Sequence, residues 1–180
     1  VLHVLPFLQS TSDGGFAVSS HKFLDERFGV WNDLKLLSKS HILMADLVLN
    51  HVSSSHPWVQ QFIKDEEPGA SNIFAPSQTL NWESVIRPRS SSLFSQINTC
   101  KGPKQVWTTF GPDQVDLNWQ NPKMIFEFLN LVITYVDNGI KWFRLDAVGF
   151  IWKESGTTCL HLPKAHLIVK ALRIQLSNLL

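Results

Sequence analysis

The stretch "GIKWFRLDAVGF", residues 139–150, decides the fold and also holds an anomaly. Gly139 precedes Ile140, Trp142, Phe143, Leu145, Ala147 and Val148, an apolar run that reads as a strand. Arg144 and Asp146 sit inside it. A charge in a buried strand is expensive unless it is paired. Side chains alternate along a strand, so Trp142, Arg144 and Asp146 share one face and Phe143, Leu145 and Ala147 the other. Two readings follow. Arg144 and Asp146 form a structural ion pair, or an arginine holds a carboxylate ionised at a strand end, where a nucleophile could work.

Outward from this strand, helices and strands alternate. Residues 1–8 read as a strand, followed by the polar loop "QSTSDGGF". Asn32 reads as the N-cap of a helix carrying Leu34, Leu36 and Leu37. "HILMADLVLNH", 41–51, reads as a second buried strand. "NPKMIFEFLNLVITYVDNG", 121–139, is a helix with Asn121 as cap, Pro122 in the first turn and Gly139 as its stop. Ile125, Phe128, Leu129, Val132 and Val136 make its expected buried stripe. The third strand covers 140–148. A last helix begins near Pro163 and runs to residue 180, with Ile168, Leu172, Leu176 and Leu179 at helical spacing. This order predicts an α/β fold with a parallel sheet and right-handed crossovers. An open doubly wound sheet and a (β/α)8 barrel both fit. No GxGxxG or P-loop follows a strand, which argues against a nucleotide site.

One connection is abnormally long. Roughly 70 residues separate His51 from Asn121, where a βα loop usually has about 2–6. The segment is rich in Ser, Pro and Trp, with a short helix near 57–66. It reads as a subdomain inserted at the C-terminal end of a strand, which in barrels is the active-site face.

Composition narrows the function. The chain has 180 residues, 44% hydrophobic and 17% charged, which describes a globular domain. A net charge of +1 without a basic run argues against nucleic acid or an anionic membrane as partner. No run of about 18 apolar residues could cross a bilayer. No signal-peptide pattern opens the chain. Cys100 and Cys159 match no metal spacing and no disulfide framework, so a reducing, cytoplasmic compartment is expected. The seven histidines form no HxH or HExxH, so no metal is expected, and nothing points to a cofactor. The chain opens on Val1 and closes inside a helical pattern, which reads as an internal piece of a longer protein.

Parallel strands bring their ends to one face, so Asp13, Asp46, Asn50, His51, Arg144 and Asp146 are expected to meet. Asp46, inside "ILMADLVLN", needs a partner, and Arg144 on the neighbouring strand is the available donor. His51 reads equally as a core histidine and as a ligand contact. Asp13, judged locally, is a turn residue. Seven Trp and twelve Phe stand against one Tyr, and Phe16, Trp58, Trp82, Trp107, Phe110 and Phe150 fall in expected loops. Aromatic planes suit the C–H faces of sugar rings, although most of these side chains are expected to pack.

"DLVLNH" (46–51), "QVDLN" (114–118) and "GIKWFRLDAV" (139–148) resemble, in order and spacing, three sequence regions of the α-amylase superfamily, glycoside hydrolase family 13. "LPFLQSTSDGGF", "RPR" (87–89), "VWTTFGPDQVDLN" and "RLDAVGFIWKESGTTCLHLPKAH" resemble its sucrose phosphorylase-like subfamily, the sucrose and glucosylglycerate phosphorylase type. The resemblance implies a partial (β/α)8 TIM barrel with an inserted domain B. Residues 1–52 would hold the second and third strands, 53–118 domain B, and 119–180 a helix, the fourth strand and the next helix. It implies that Asp146 is the nucleophile of a retaining glucosyl transfer and that Arg144 keeps it ionised and aimed. Asp13 and His51 would bind the glucose, Phe16 and Phe150 line it, Phe110 and Gln114 face the acceptor, and Arg89 meet phosphate. The substrates implied are a small α-glucoside and inorganic phosphate; an α-amylase/α-glucosidase-type hydrolase and a catalytically incomplete remnant are the alternatives. Ser20 and His21 stand where the family often has Asp–Tyr, and Glu154 does not match the acid/base glutamate, which would lie beyond the chain. Asn50 matches a calcium ligand of many amylases, a site the phosphorylase-like members lack. Taken alone, such a three-strand section is expected to expose Met44, Val48 and Trp142 and to be inactive and unstable.

Overall fold

A computed structural model describes residues 1–77 and 79–179; the expected end of the last helix at Leu180 lies outside them, as does the Leu179 side chain. Three strands, β1 (Leu2–Val4), β2 (Leu43–Val48) and β7 (Ile140–Asp146), form a parallel sheet in the order β1-β2-β7. The helix α1 (Trp31–Leu37) connects β1 to β2, α4 (Lys123–Asp137) precedes β7, and α5 (Pro163–Leu179) follows it. The alternation expected from the sequence is therefore present. In the β2–β7 register Asp46 stands opposite Arg144 and Val48 opposite Asp146.

The boundaries differ from expectation for physical reasons. β1 stops at Val4 rather than residue 8: Pro6 has no N–H for a ladder, and Gly15 packs so close to Pro6 that an added Cβ would lie 2.6 Å from it. Asn32 is not the cap of α1. The helix begins at Trp31, and Asp33 accepts from the Val30 N–H at 2.8 Å, closing that first turn from within. β2 ends at Val48, and β7 at Asp146, because Ala147 takes a left-handed φ of 51°. In α4 the Asn121 side chain accepts from the Lys123 N–H at 3.1 Å, so it caps as expected. Gly139, at φ 92°, ends the helix where a Cβ would strike Ser38. The buried face of α4 is wider than the expected stripe: Met124, Phe128, Leu129, Leu131, Val132 and Tyr135 are buried, while Ile125 and Val136 are only partly covered.

The long connection carries its own elements: β3 (His51–Ser53), α2 (Pro57–Lys64), α3 (Gly69–Asn72), the hairpin β4 (Phe94–Thr99) with β5 (Gly102–Trp107), and β6 (Gln114–Asp116) antiparallel to β3. Trp58 belongs to α2 and Trp107 to β5, so neither is a loop aromatic. Trp107 is buried among Phe74, Trp82 and Phe94 at centroid distances of 5.0–5.6 Å, which makes it and Trp82 packing residues. A single apolar cluster runs from α4 and β2 into Val52, Val59, Phe62, Ile73, Val106 and Val115 of this connection. Trp142 is exposed and Met44 half-buried, but Val48, expected in water, is buried in that cluster. Among the described residues no helix is long and apolar enough to cross a membrane.

Candidate active site

The anomaly in β7 resolves into a chain of charges. Arg144 Nη1 donates to Asp46 Oδ1 at 2.5 Å and lies 3.1 Å from Asp146 Oδ1. The other oxygen of Asp46 meets His3 Nε2 at 2.9 Å. Asp46 is thus a buried carboxylate held from both neighbouring strands, as its side-chain exposure of 1% requires. The partner inferred for it, Arg144, is correct; His3 was missed, and its signal was a polar residue inside a three-residue strand. Asp146 sits at the C-terminal end of β7 with 17% of its side chain exposed. Burial lifts its pKa, and Asp46 adds to this; Arg144 pulls the other way, and the net direction is up. Arg144 thus stands beside Asp146, where its charge favours the carboxylate, while its shorter bond goes to Asp46. Arg144 also lies 5.8 Å from the Phe16 ring centroid, a cation–π distance.

A second cluster gathers six more of the expected residues. Asp13 opens a short helical turn with a left-handed φ of 56°. Arg89 Nη2 reaches both Asp13 oxygens, at 3.0 and 3.2 Å. Gln114 Nε2 donates to Asp13 Oδ2 at 2.9 Å and to His51 Nε2 at 3.1 Å. Burial raises the Asp13 pKa, but these bonds and the arginine charge outweigh it and hold the carboxyl below its ordinary value. Asp13 is therefore not a plain turn residue in this structure. His51 opens β3 instead of closing β2, opposite Asp116. Its ring is buried, which drops its pKa to about 4, with Asp116 opposing and Lys153 adding to the drop. Both ring nitrogens face amide NH2 groups, Nε2 that of Gln114 and Nδ1 that of Asn50 at 3.4 Å. Phe110 lies 5.1 Å from the His51 ring and 5.4 Å edge-on from Phe150. Arg89 lies 6.0 Å from the Phe110 ring. Glu154 is exposed and tied to Lys164 Nζ at 3.1 Å and Trp152 Nε1 at 3.2 Å.

Behind His51 lies a buried ionic group that spacing did not reveal. Asp116 Oδ2 accepts from Asn50 Nδ2 and Lys153 Nζ, both at 2.8 Å, and from the Thr109 hydroxyl. Lys153 Nζ also bonds Asn50 Oδ1 at 2.9 Å, so an ammonium group occupies the place facing this oxygen. Asp116 carried the same signal as Asp46, a charge in an apolar strand; Lys153, in a polar loop, carried none. Among the described residues no three His, Cys, Asp or Glu side chains lie together as a metal would need. Cys100 and Cys159 are both free thiols.

Set beside known proteins, the chain matches the family described as alpha amylase, catalytic domain, over residues 1–173. It is 46% identical to the glucosylglycerate phosphorylase of Allomeiothermus silvanus over 97% of its length, spanning 32% of that protein. It is 30% identical to the sucrose phosphorylase of Bifidobacterium adolescentis over 96% of its length, spanning 36% of it. The crystal structure of sucrose 6F-phosphate phosphorylase from Thermoanaerobacter thermosaccharolyticum superposes with a TM-score of 0.90 at 27% identity, over 98% of this chain and 39% of that one. The chain thus spans about a third of the length of the relatives it matches.

Proposed function

Because the chain belongs to the alpha-amylase catalytic-domain family, we propose that it is a segment of a retaining α-glucoside phosphorylase, of the glucosylglycerate or sucrose type, that releases α-glucose 1-phosphate. The relatives named above support the phosphorylase class. In this reading β1, β2 and β7 are the second to fourth strands of a (β/α)8 barrel and residues 53–118 form domain B, between barrel segments 1–52 and 119–180. The substrates are a small α-glucoside and phosphate, in the cytoplasm.

The Asp146 carboxylate attacks the anomeric carbon, and the bond to the leaving oxygen breaks as that oxygen takes a proton. A glucosyl ester on Asp146 results. An oxygen of phosphate then attacks the same carbon, releasing Asp146, and two inversions restore the α configuration. Arg144 orients the nucleophile. Asp13 and His51 hold the glucose, Phe16 and Phe150 flank it, and Phe110 and Gln114 face the acceptor side. Glu154 is committed to Lys164 and Trp152, so the proton donor is assigned to a residue outside this chain.

The observation that carries phosphorolysis over hydrolysis is Arg89, a guanidinium from the long connection seated against Asp13 and Phe110. A phosphorylase needs such a cation near the acceptor site, whereas a hydrolase does not. The test supplies the full-length protein with glucosylglycerate or sucrose and phosphate, and follows α-glucose 1-phosphate by phosphorus NMR. Arg89→Ala should raise the phosphate requirement by about tenfold or more and the glucoside requirement far less. Equal effects on both, or glucose as the sole product, would favour the hydrolase.

A further inference from the structure

The loop that carries Asp13 is not held by Asp13 alone. Asp113, in the turn just before Gln114, has a carboxylate that gathers donors from two other segments. Its Oδ2 accepts from the hydroxyls of Thr11 and Ser12, both at 2.5 Å. Its Oδ1 accepts from the Ser54 hydroxyl at 2.6 Å and from the Ser54 N–H at 3.3 Å, and the Ser53 Oγ also lies 3.3 Å from it. Counting protons sharpens the picture. Each hydroxyl has one, so the Ser53 proton goes to its nearer partner, Thr11 Oγ1 at 2.7 Å, whose own proton goes to Asp113. The backbone adds Ser54 N–H to the Asp113 carbonyl at 3.0 Å. One carboxylate therefore ties together the strand that opens on His51, the turn that leads into Gln114, and the loop that ends on Asp13.

We propose that Asp113 is a positioning residue for the glucose subsite: it touches no substrate, but it fixes Asp13, His51 and Gln114 relative to one another. The need for such a clamp is visible in Asp13, whose left-handed backbone is disfavoured for a residue with a Cβ. A loop held in that conformation requires bonds from outside it, and Thr11 and Ser12 supply them. Charge matters as well as shape, because hydroxyl-to-carboxylate bonds are stronger than neutral ones. An asparagine would present an NH2 group to one pair of donors and keep only half of the clamp.

This inference rests on the glucosyl-transfer reading, and the experiment separates the two. The full-length protein is compared with Asp113→Ala, Asp113→Asn, Asp13→Ala and the double variant. Three measurements are made: glucoside turnover, phosphate dependence, and D-glucose binding by calorimetry. Asp113→Ala should lower kcat/KM for the glucoside by about 30-fold while the phosphate KM moves by no more than about twofold, and Asp113→Asn should fall between it and wild type. In the Asp13→Ala background, removing Asp113 should cost clearly less than in wild type, since one of the three residues it positions is gone. A folded Asp113→Ala enzyme within threefold of wild type overturns the proposal, and so does full additivity with Asp13→Ala. Should Asp113→Ala fail to fold, Ser12→Ala removes one donor alone; a weaker loss with the same non-additivity is expected, and its absence overturns the clamp. Should wild type turn over neither glucoside, the phosphorylase reading fails, and D-glucose binding still tests Asp113 by the same comparison.

Discussion

At the scale of single residues, Asp146 is the nucleophile proposed above, and its surroundings pull it two ways. Burial and Asp46 favour the neutral acid, while Arg144, 3.1 Å away, favours the anion. The nucleophile must be ionised, so turnover should fall as pH drops through its raised pKa, higher than for a solvated carboxyl. Asp146→Asn keeps the shape and removes the attacking oxygen. In the full-length protein it should lower glucosyl transfer by several orders of magnitude with little change in thermal unfolding; turnover within about tenfold of wild type would remove Asp146 from the mechanism. Asp46 was legible because a charge in an apolar strand demands a partner. Asp113 was not legible, since an aspartate in a Gly-Pro turn looks like any other turn residue until Thr11, Ser12 and Ser54 fold against it.

At the scale of elements, α2 depends on a histidine. His56 Nδ1 accepts from the Trp58 N–H at 3.1 Å as the N-cap, and its Nε2 lies 3.2 Å from His21 Nδ1. With Nδ1 accepting, Nε2 must carry the proton and donate to His21. Trp58, Phe128 and each other's rings surround the pair. Burial lowers His21 to about 4, and burial followed by the His21 charge lowers His56 to about 2. The folded pKa values lie below the unfolded value, so the unfolded chain binds more protons in acid. The stability contribution is complete above about pH 6.5 and is lost as pH falls from there through the folded values, by up to about 1.4 kcal/mol per pH unit for each group. His56→Asn keeps a good cap and removes one titrating ring. Unfolding temperatures of the full-length protein between pH 7 and 5 should fall less steeply in this variant than in wild type. Equal slopes would mean that His56 does not titrate with unfolding. The sequence singled out His21 only as a departure from a family pattern; its partner lies 35 residues on and could not be read from spacing.

At the scale of the whole molecule, the three-stranded sheet governs behaviour. Among the described residues β1 and β7 each pair with β2 alone, so each leaves one edge open. Trp142 on β7, Phe126 on α4 and Leu167 on α5 are exposed. Each such side chain left in water forfeits roughly 1.5–3 kcal/mol against a total stability of about 5–15 kcal/mol. The 180-residue polypeptide by itself should therefore aggregate or form a loose compact state, and show no release of glucose 1-phosphate from sucrose or glucosylglycerate. Size-exclusion chromatography and thermal unfolding check the first part, and a coupled assay checks the second. A monodisperse monomer with a cooperative melt, or measurable turnover, would show that this segment is self-sufficient. Val48 already tempers the expectation, since the cluster that joins β2 to the long connection covers it.

The sequence by itself determined the alternation of strands and helices, the parallel sheet, the abnormal length of the connection after β2, and the partner of Asp46. These follow from periodicity and from the cost of burying charge, which act within a few residues or between adjacent strands. Only the tertiary structure decided that His51 begins a strand of its own, that Asp13 is held by Arg89 and Gln114, and that Lys153 reaches Asn50 and Asp116. Those partners are 37 to 103 residues apart. Hydrogen bonds over such separations depend on how the connection folds back over the strand ends, and no local pattern records that path.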